Sequence, residues 1–145
     1  MLQRQLQQIV PLAKRTLLET RHYIHDLKPL LSSERDLVEI AEEQVNEFRM
    51  VAGADTRLSI EGEPVLLPVA ASTGLYRILQ EALSNVLKHA RADEIIVKLT
   101  FTTESVRLSV QDNGVGFDIN GPRSGNGLDN MHHRANELCG LFESD

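Results

Sequence analysis

Residues 76–92, YRILQEALSNVLKHARA, limit the fold more than any other stretch of this chain. Their spacing predicts one amphipathic helix. At about 100° per residue, Ile78, Leu79, Ala82, Leu83, Val86 and Ala90 share an apolar stripe. Glu81, Asn85, Lys88 and His89 fall on an arc of about 100° along one edge of it. Arg77, Gln80 and Ser84 take the opposite side. A carboxylate, an amide, an ammonium and an imidazole therefore line up where core meets solvent. A merely solvated face would scatter its charges. The bland alternative is a surface face with a Glu81–Asn85 pair one turn apart. The rest of the chain decides between the two.

The chain has 145 residues, enough for one domain with a real core. Its net charge of −6 argues against a general nucleic-acid binder. Cys139 is the only cysteine, so internal disulfides and cysteine-based metal sites are excluded, and the thiol reads as a buried one. No apolar run reaches the length of a membrane span, and no signal-peptide pattern opens the chain. Direct membrane insertion is not expected, and the setting reads as cytoplasmic. A parent protein anchored upstream of Met1 stays possible.

Residues 1–31 form a separate unit. Leu2, Leu6, Ile9, Ala13, Thr16, Thr20, Tyr23 and Leu27 step by three and four, a heptad seam that needs a partner helix. Pro11 kinks or begins this helix, and Lys28-Pro29 ends it. Ser33 with Asp36 then reads as a weak capping box opening a helix to about Val51. Its buried face is Leu37, Ile40, Ala41, Val45 and Phe48, and Gly53 stops it. Thr56 to Glu61 alternates like a strand. Glu94 to Thr102, then Val106, Leu108 and Val110, read as an antiparallel hairpin. Residues 117–127 form a loop rich in Gly, Pro, Ser and Asn. A last helix spans about Leu128 to Leu138, and Leu141-Phe142-Glu143 begins a strand.

Asp112 continues the two-residue period of Val106, Leu108 and Val110, so it points to the core side of the sheet. A carboxylate there needs a donor. An adenine amino group is one of suitable size. Asn113-Gly114-Val115-Gly116 follows at once, and Gly-x-Gly lets backbone approach a ligand closely. Gly125-Asn126-Gly127-Leu128 opens the last helix, where free N–H groups favour a phosphate.

In this order the motifs resemble the boxes of the GHKL ATPases. Glu81, Asn85 and Lys88-His89-Ala90 are similar to the N box. Residues 112–116 and 125–128 resemble the first and second glycine boxes. NVLKHA, GNGLDNMHHRA and His25-Asp26-Leu27-Lys28-Pro29 further resemble sensor histidine kinases of two-component systems, in the subgroup paired with LuxR-type response regulators. The resemblance implies a Bergerat α/β sandwich, with a mixed sheet covered by helices on one face. Residues 32–145 would be the histidine kinase-like ATPase domain. Residues 1–31 would be the second helix of a dimerisation and phosphoacceptor domain, giving a homodimer. It implies ATP and Mg²⁺ as cofactors and a response regulator as partner.

The resemblance also implies roles. Asn85 would coordinate Mg²⁺ through its amide oxygen. Glu81 would take the proton from, or orient, the attacking group. Lys88 and His89 would meet phosphate oxygens. Asp112 would accept from the adenine amine, with Gly114 and Gly116 beside the nucleotide. Gly125, Gly127 and Leu128 would form the lid hinge over the phosphates.

The sequence departs from the family in lacking a further glycine segment and a last strand. The domain is therefore expected to be truncated at its C-terminus, with the acceptor histidine upstream of Met1 and no autophosphorylation by this chain alone. His25 is a poor acceptor, because Pro29 follows closely and the basic residues that precede family acceptors are missing. His132 and His133 point about 100° apart on a helix, which disfavours a metal site. Two alternatives remain: an anti-sigma-factor-like serine kinase, and a catalytically silent dimerisation or docking module.

Overall fold

The structure is a computed structural model that describes residues 13, 16, 36–116 and 127–144. The heptad seam, apart from helical Ala13 and Thr16, lies outside the described residues, and so do His22, His25 and Gly125.

Helix α1 spans Leu37–Ala52 and is followed by strand β1, Asp55–Glu61. Helix α2 spans Val69–Asn85 and continues into a π-helical turn, Val86–Ala90. Strands β2, Glu94–Phe101, and β3, Val106–Asp112, form the hairpin, and helix α3, Gly127–Glu137, comes last. The sheet order is β1-β2-β3. β1 pairs with β2 in parallel, with Asp55 opposite Glu94, and β2 pairs with β3 antiparallel, with Ile95 opposite Asp112. The sheet is mixed because α2 carries the chain back between β1 and β2, whereas a tight turn joins β2 to β3.

β2 alternates strictly, with Ile95, Val97, Leu99 and Phe101 buried. Against that face lie Leu37, Ala41, Val45, Phe48 and Val51 of α1 and Leu79 and Leu83 of α2. Burying a side chain such as Phe48, only 1% exposed, contributes about 1.5–3 kcal/mol. The other face is polar and solvated, with ion pairs Lys98–Glu61 at 2.6 Å and Arg57–Asp55 at 2.7 Å. Asp55, through its hydrogen bond and charge, and then Glu94 hold the exposed Arg57 guanidinium above its ordinary pKa.

Several local expectations change. Asp36, not Ser33, caps α1: its Oδ1 accepts from Val38 N at 2.8 Å. Gly53 terminates the helix at φ 66, where a Cβ would be strained. The central helix starts after Pro68, seven residues before Tyr76. Gln80 and Ser84 are not on a solvent side but each only 7% exposed, while Ile78 and Ala82 are half-buried. α2 is covered on more than one side, because it packs against α1 and α3 as well as the sheet. The Tyr76 hydroxyl accepts from Gln80 Nε2 at 2.6 Å and Gln44 Nε2 at 3.5 Å, which satisfies amides that would be costly to bury alone. Cys139 is exposed rather than buried, on a left-handed residue (φ 56) just past α3. Leu141-Phe142-Glu143 forms no strand; Phe142 stacks on His132 with ring centroids 5.8 Å apart.

Candidate functional site

α2 and α3 run antiparallel in close contact. A Cβ built on Gly74, near the start of α2, would lie 2.7 Å from Leu138 Cδ1, just past the end of α3. A Cβ on Gly127, at the start of α3, would collide with Glu81 Oε1 and lie 3.4 Å from Asn85 Nδ2. The first turn of α3 therefore abuts the polar end of α2. The opening N–H groups of a helix lack intrahelical partners and carry partial positive charge. Glu81 and Asn85 are both half-buried, and neither side chain makes a hydrogen bond among the described residues. A carboxylate, an amide and the start of α3 thus share one small region. Leu128 is half-buried on that same first turn.

Past Asn85 the helix does not continue as α, as its spacing suggests, but widens. The Val86 N–H is shared between the Ala82 and Leu83 carbonyls, and the π turn ends at Arg91 with φ 49. Single π turns cluster at functional sites because they re-aim side chains. Here Val86 and Ala90 stay buried while Lys88 and His89 are exposed.

The turn leads directly to Asp112. The Val115 N–H donates to the Ala90 carbonyl at 2.8 Å. A Cβ on Gly114 would collide with that carbonyl oxygen and lie 2.8 Å from Asp112 Oδ1. Only glycine lets the strand-end loop close onto the helix end. Asp112 is half-buried on the core side of β3, as its register predicts. Its Oδ1 accepts from Gly114 N at 2.8 Å, and among the described residues Oδ2 has no partner. Gly116 has φ 70.

The structure thus gathers Glu81, Asn85, Gly127 and Leu128 at one end, and Asp112, Gly114 and Gly116 at the other. The turn carrying Lys88 and His89 joins them. Sequence reasoning missed Asn113, whose side chain ties β3 to β2, and the Tyr76–Gln80–Gln44 cluster. Ser72, Tyr76 and Gln80 recur every fourth residue, a second stripe that marks the latter. Among the described residues no cluster of His, Cys, Asp or Glu could hold a metal ion by itself, and no helix is long and apolar enough to cross a membrane.

Comparison with known proteins points the same way. Residues 70–140 match the family profile of histidine kinase-, DNA gyrase B- and HSP90-like ATPases. The chain is 38% identical over 129 residues to the sensor histidine kinase MctS of Rhizobium johnstonii, covering 86% of this chain and 28% of that protein. It is 34% identical over 126 residues to the sensor histidine kinase LiaS of Bacillus subtilis, covering 86% of this chain and 34% of that protein. The chain thus spans about a third or less of the length of these relatives. Its fold is similar to that of the blue-light activated histidine kinase of Erythrobacter litoralis, with a TM-score of 0.61 and 18% identity, covering 88% of this chain and 48% of the other. The match embraces α2, the π turn, both hairpin strands and α3, which are the elements that build the site, so the chain belongs to the GHKL superfamily as a histidine kinase ATPase domain of the sensor-kinase type.

Proposed function

We propose that this domain binds Mg-ATP and transfers the γ-phosphoryl group to a histidine on a helical segment outside the domain, for relay to a response regulator. The observation that carries this reading is the meeting of Gly127 with Glu81 and Asn85. Residues more than forty positions apart converge on one point, and each suits a phosphate or its counter-ion. The start of α3 offers N–H groups to phosphate oxygens. Asn85 offers an amide oxygen to Mg²⁺. This ion keeps several waters and takes few protein ligands beside the phosphates, so a single amide oxygen suits it. An ion held there would supply positive charge against the phosphates. Glu81 takes the proton from, or orients, the attacking imidazole. Positioning and charge stabilisation account for nearly all catalysis of such transfers.

At the other end, Asp112 reads the base. Its Oδ1 serves the turn and its Oδ2 is left to accept from the adenine amine, with Gly114 and Gly116 beside the ring. Exposed Lys88 and His89 reach toward phosphate oxygens, and Gly125, Gly127 and Leu128 form the hinge of the lid. The acceptor is not His89, which belongs to the site, nor His132 or His133, which lie on α3. In the parent protein the expected arrangement is a homodimer through residues 1–31, a LuxR-type response regulator and a cytoplasmic catalytic domain. The relatives, which are sensor histidine kinases, do not favour the serine-kinase or silent-module alternatives.

Calorimetric titration of ATP with and without Mg²⁺ tests the reading. Asp112→Asn turns an acceptor into a group that also donates toward the amine, with an expected loss of about 1–3 kcal/mol. Equal affinity in the variant would remove the base from Asp112.

A further inference from the structure

Asn113 sits between the base-reading carboxylate and the first residue pair of β2, and its side chain reaches backbone nearly twenty positions away. Its Oδ1 accepts from Asp93 N at 2.9 Å and from Glu94 N at 3.0 Å. Both donors are N–H groups, which fixes the atom facing them as the oxygen. Its own N–H donates to the Glu94 carbonyl at 3.2 Å. Asn113 thus extends the β2–β3 ladder one step beyond Asp112, whose strand partner is Ile95. Asn113 is exposed, so its bonds compete with water and contribute little to the core. They act on geometry instead. Asp112 has one oxygen held by Gly114 within its own loop. That loop is joined to the sheet by Asn113 and to the π turn by Val115.

We propose that Asn113 is a positioning residue for nucleotide specificity: by clamping the end of β3 to the start of β2 it aims Asp112 Oδ2 at the purine 6-position, without touching the nucleotide. The proposal rests on the reading of Asp112 as the base acceptor. A carboxylate discriminates a 6-amino from a 6-oxo purine only while its direction is fixed, because a free-swinging one lets water replace the bond.

The test is calorimetric binding of ATP and of ITP, each with Mg²⁺, to the 145-residue chain. Asn113→Ser cannot reach both amides, and it should shrink the ATP-over-ITP preference by about tenfold with the fold intact. Asn113→Asp keeps an acceptor oxygen in the same place, so it should retain the preference even if its added charge weakens both nucleotides alike. Asp112→Ala separates the two ideas. If Asp112→Ala abolishes the preference and Asn113→Ser leaves it whole, the positioning role is wrong and the base reading stands. If Asp112→Ala leaves the preference unchanged, both fall. Equal weakening of both nucleotides by Asn113→Ser also overturns the proposal. A further readout needs no substitution: amide hydrogen exchange at Asp93 and Glu94 should slow more with saturating ATP than with ITP, and equal protection counts against the clamp.

Discussion

The two ends of the site are built in opposite ways. The Asp112 end is held by bonds that each engage the main chain: Val115 N–H to the Ala90 carbonyl, Gly114 N–H to the Asp112 carboxylate, and the Asp93 and Glu94 N–H groups to the Asn113 side chain. Its shape exists before any ligand arrives. At the Glu81–Asn85 end the start of α3 touches side chains that make no hydrogen bonds among the described residues. On the proposed reading, the Asp112 end is preorganised for a neutral, flat base. On the same reading, the other end meets charges that a nucleotide and its cation bring with them. The difference suits the ligand, since a base needs direction and a phosphate needs charge.

The largest expected effect breaks the rigid end. In Gly114→Ala the new methyl meets the Ala90 carbonyl oxygen and lies 2.7 Å from its carbon. Both atoms belong to backbone that cannot rotate away. The expected cost is about 3 kcal/mol, a fall of roughly 10 °C in melting temperature, with base selectivity lost as well. Melting near the wild-type temperature would show that the loop can give, and the contrast between the ends would weaken.

Asn85→Ala strikes the open end and should do the reverse. The Asn85 side chain makes no hydrogen bond among the described residues, so folding should change little. Nucleotide binding should lose its Mg²⁺-dependent part, about 1–2 kcal/mol. Unchanged Mg²⁺ dependence by calorimetry would place the metal on other groups.

How much of this was legible in the sequence follows from the range of each interaction. Strand periodicity set the inward face of Asp112, and the stop at Gly53 follows a local rule. Gln80 and Ser84 were misplaced because one helix read alone has one apolar face, whereas α2 meets a sheet and two helices. The partner of Tyr76 includes Gln44, 32 positions away, which no local pattern signals. Asn113 looks like any turn asparagine until its amide partners, 19 and 20 residues back, are known. The π turn has no compositional mark at all. The boxes were legible because their chemistry needs particular residue types. Their supports were not, because many side chains could have served.

Gly127→Ala carries the smallest expected effect and gives the finest test of the contrast. Its methyl also collides, but with Glu81 Oε1, the far end of a side chain that can rotate. Alanine also favours a helix over glycine by up to about 1 kcal/mol, which offsets part of the clash. The net cost should stay near 1 kcal/mol, well below that of Gly114→Ala. A double-mutant cycle isolates the contact. Glu81→Ala removes the carboxylate, so adding Gly127→Ala to it should be neutral or slightly stabilising, with a coupling energy of about 1 kcal/mol. Additive losses in denaturant unfolding would mean that the methyl meets backbone instead. The phosphate end would then be as rigid as the base end, and the two halves of the site would differ only in charge.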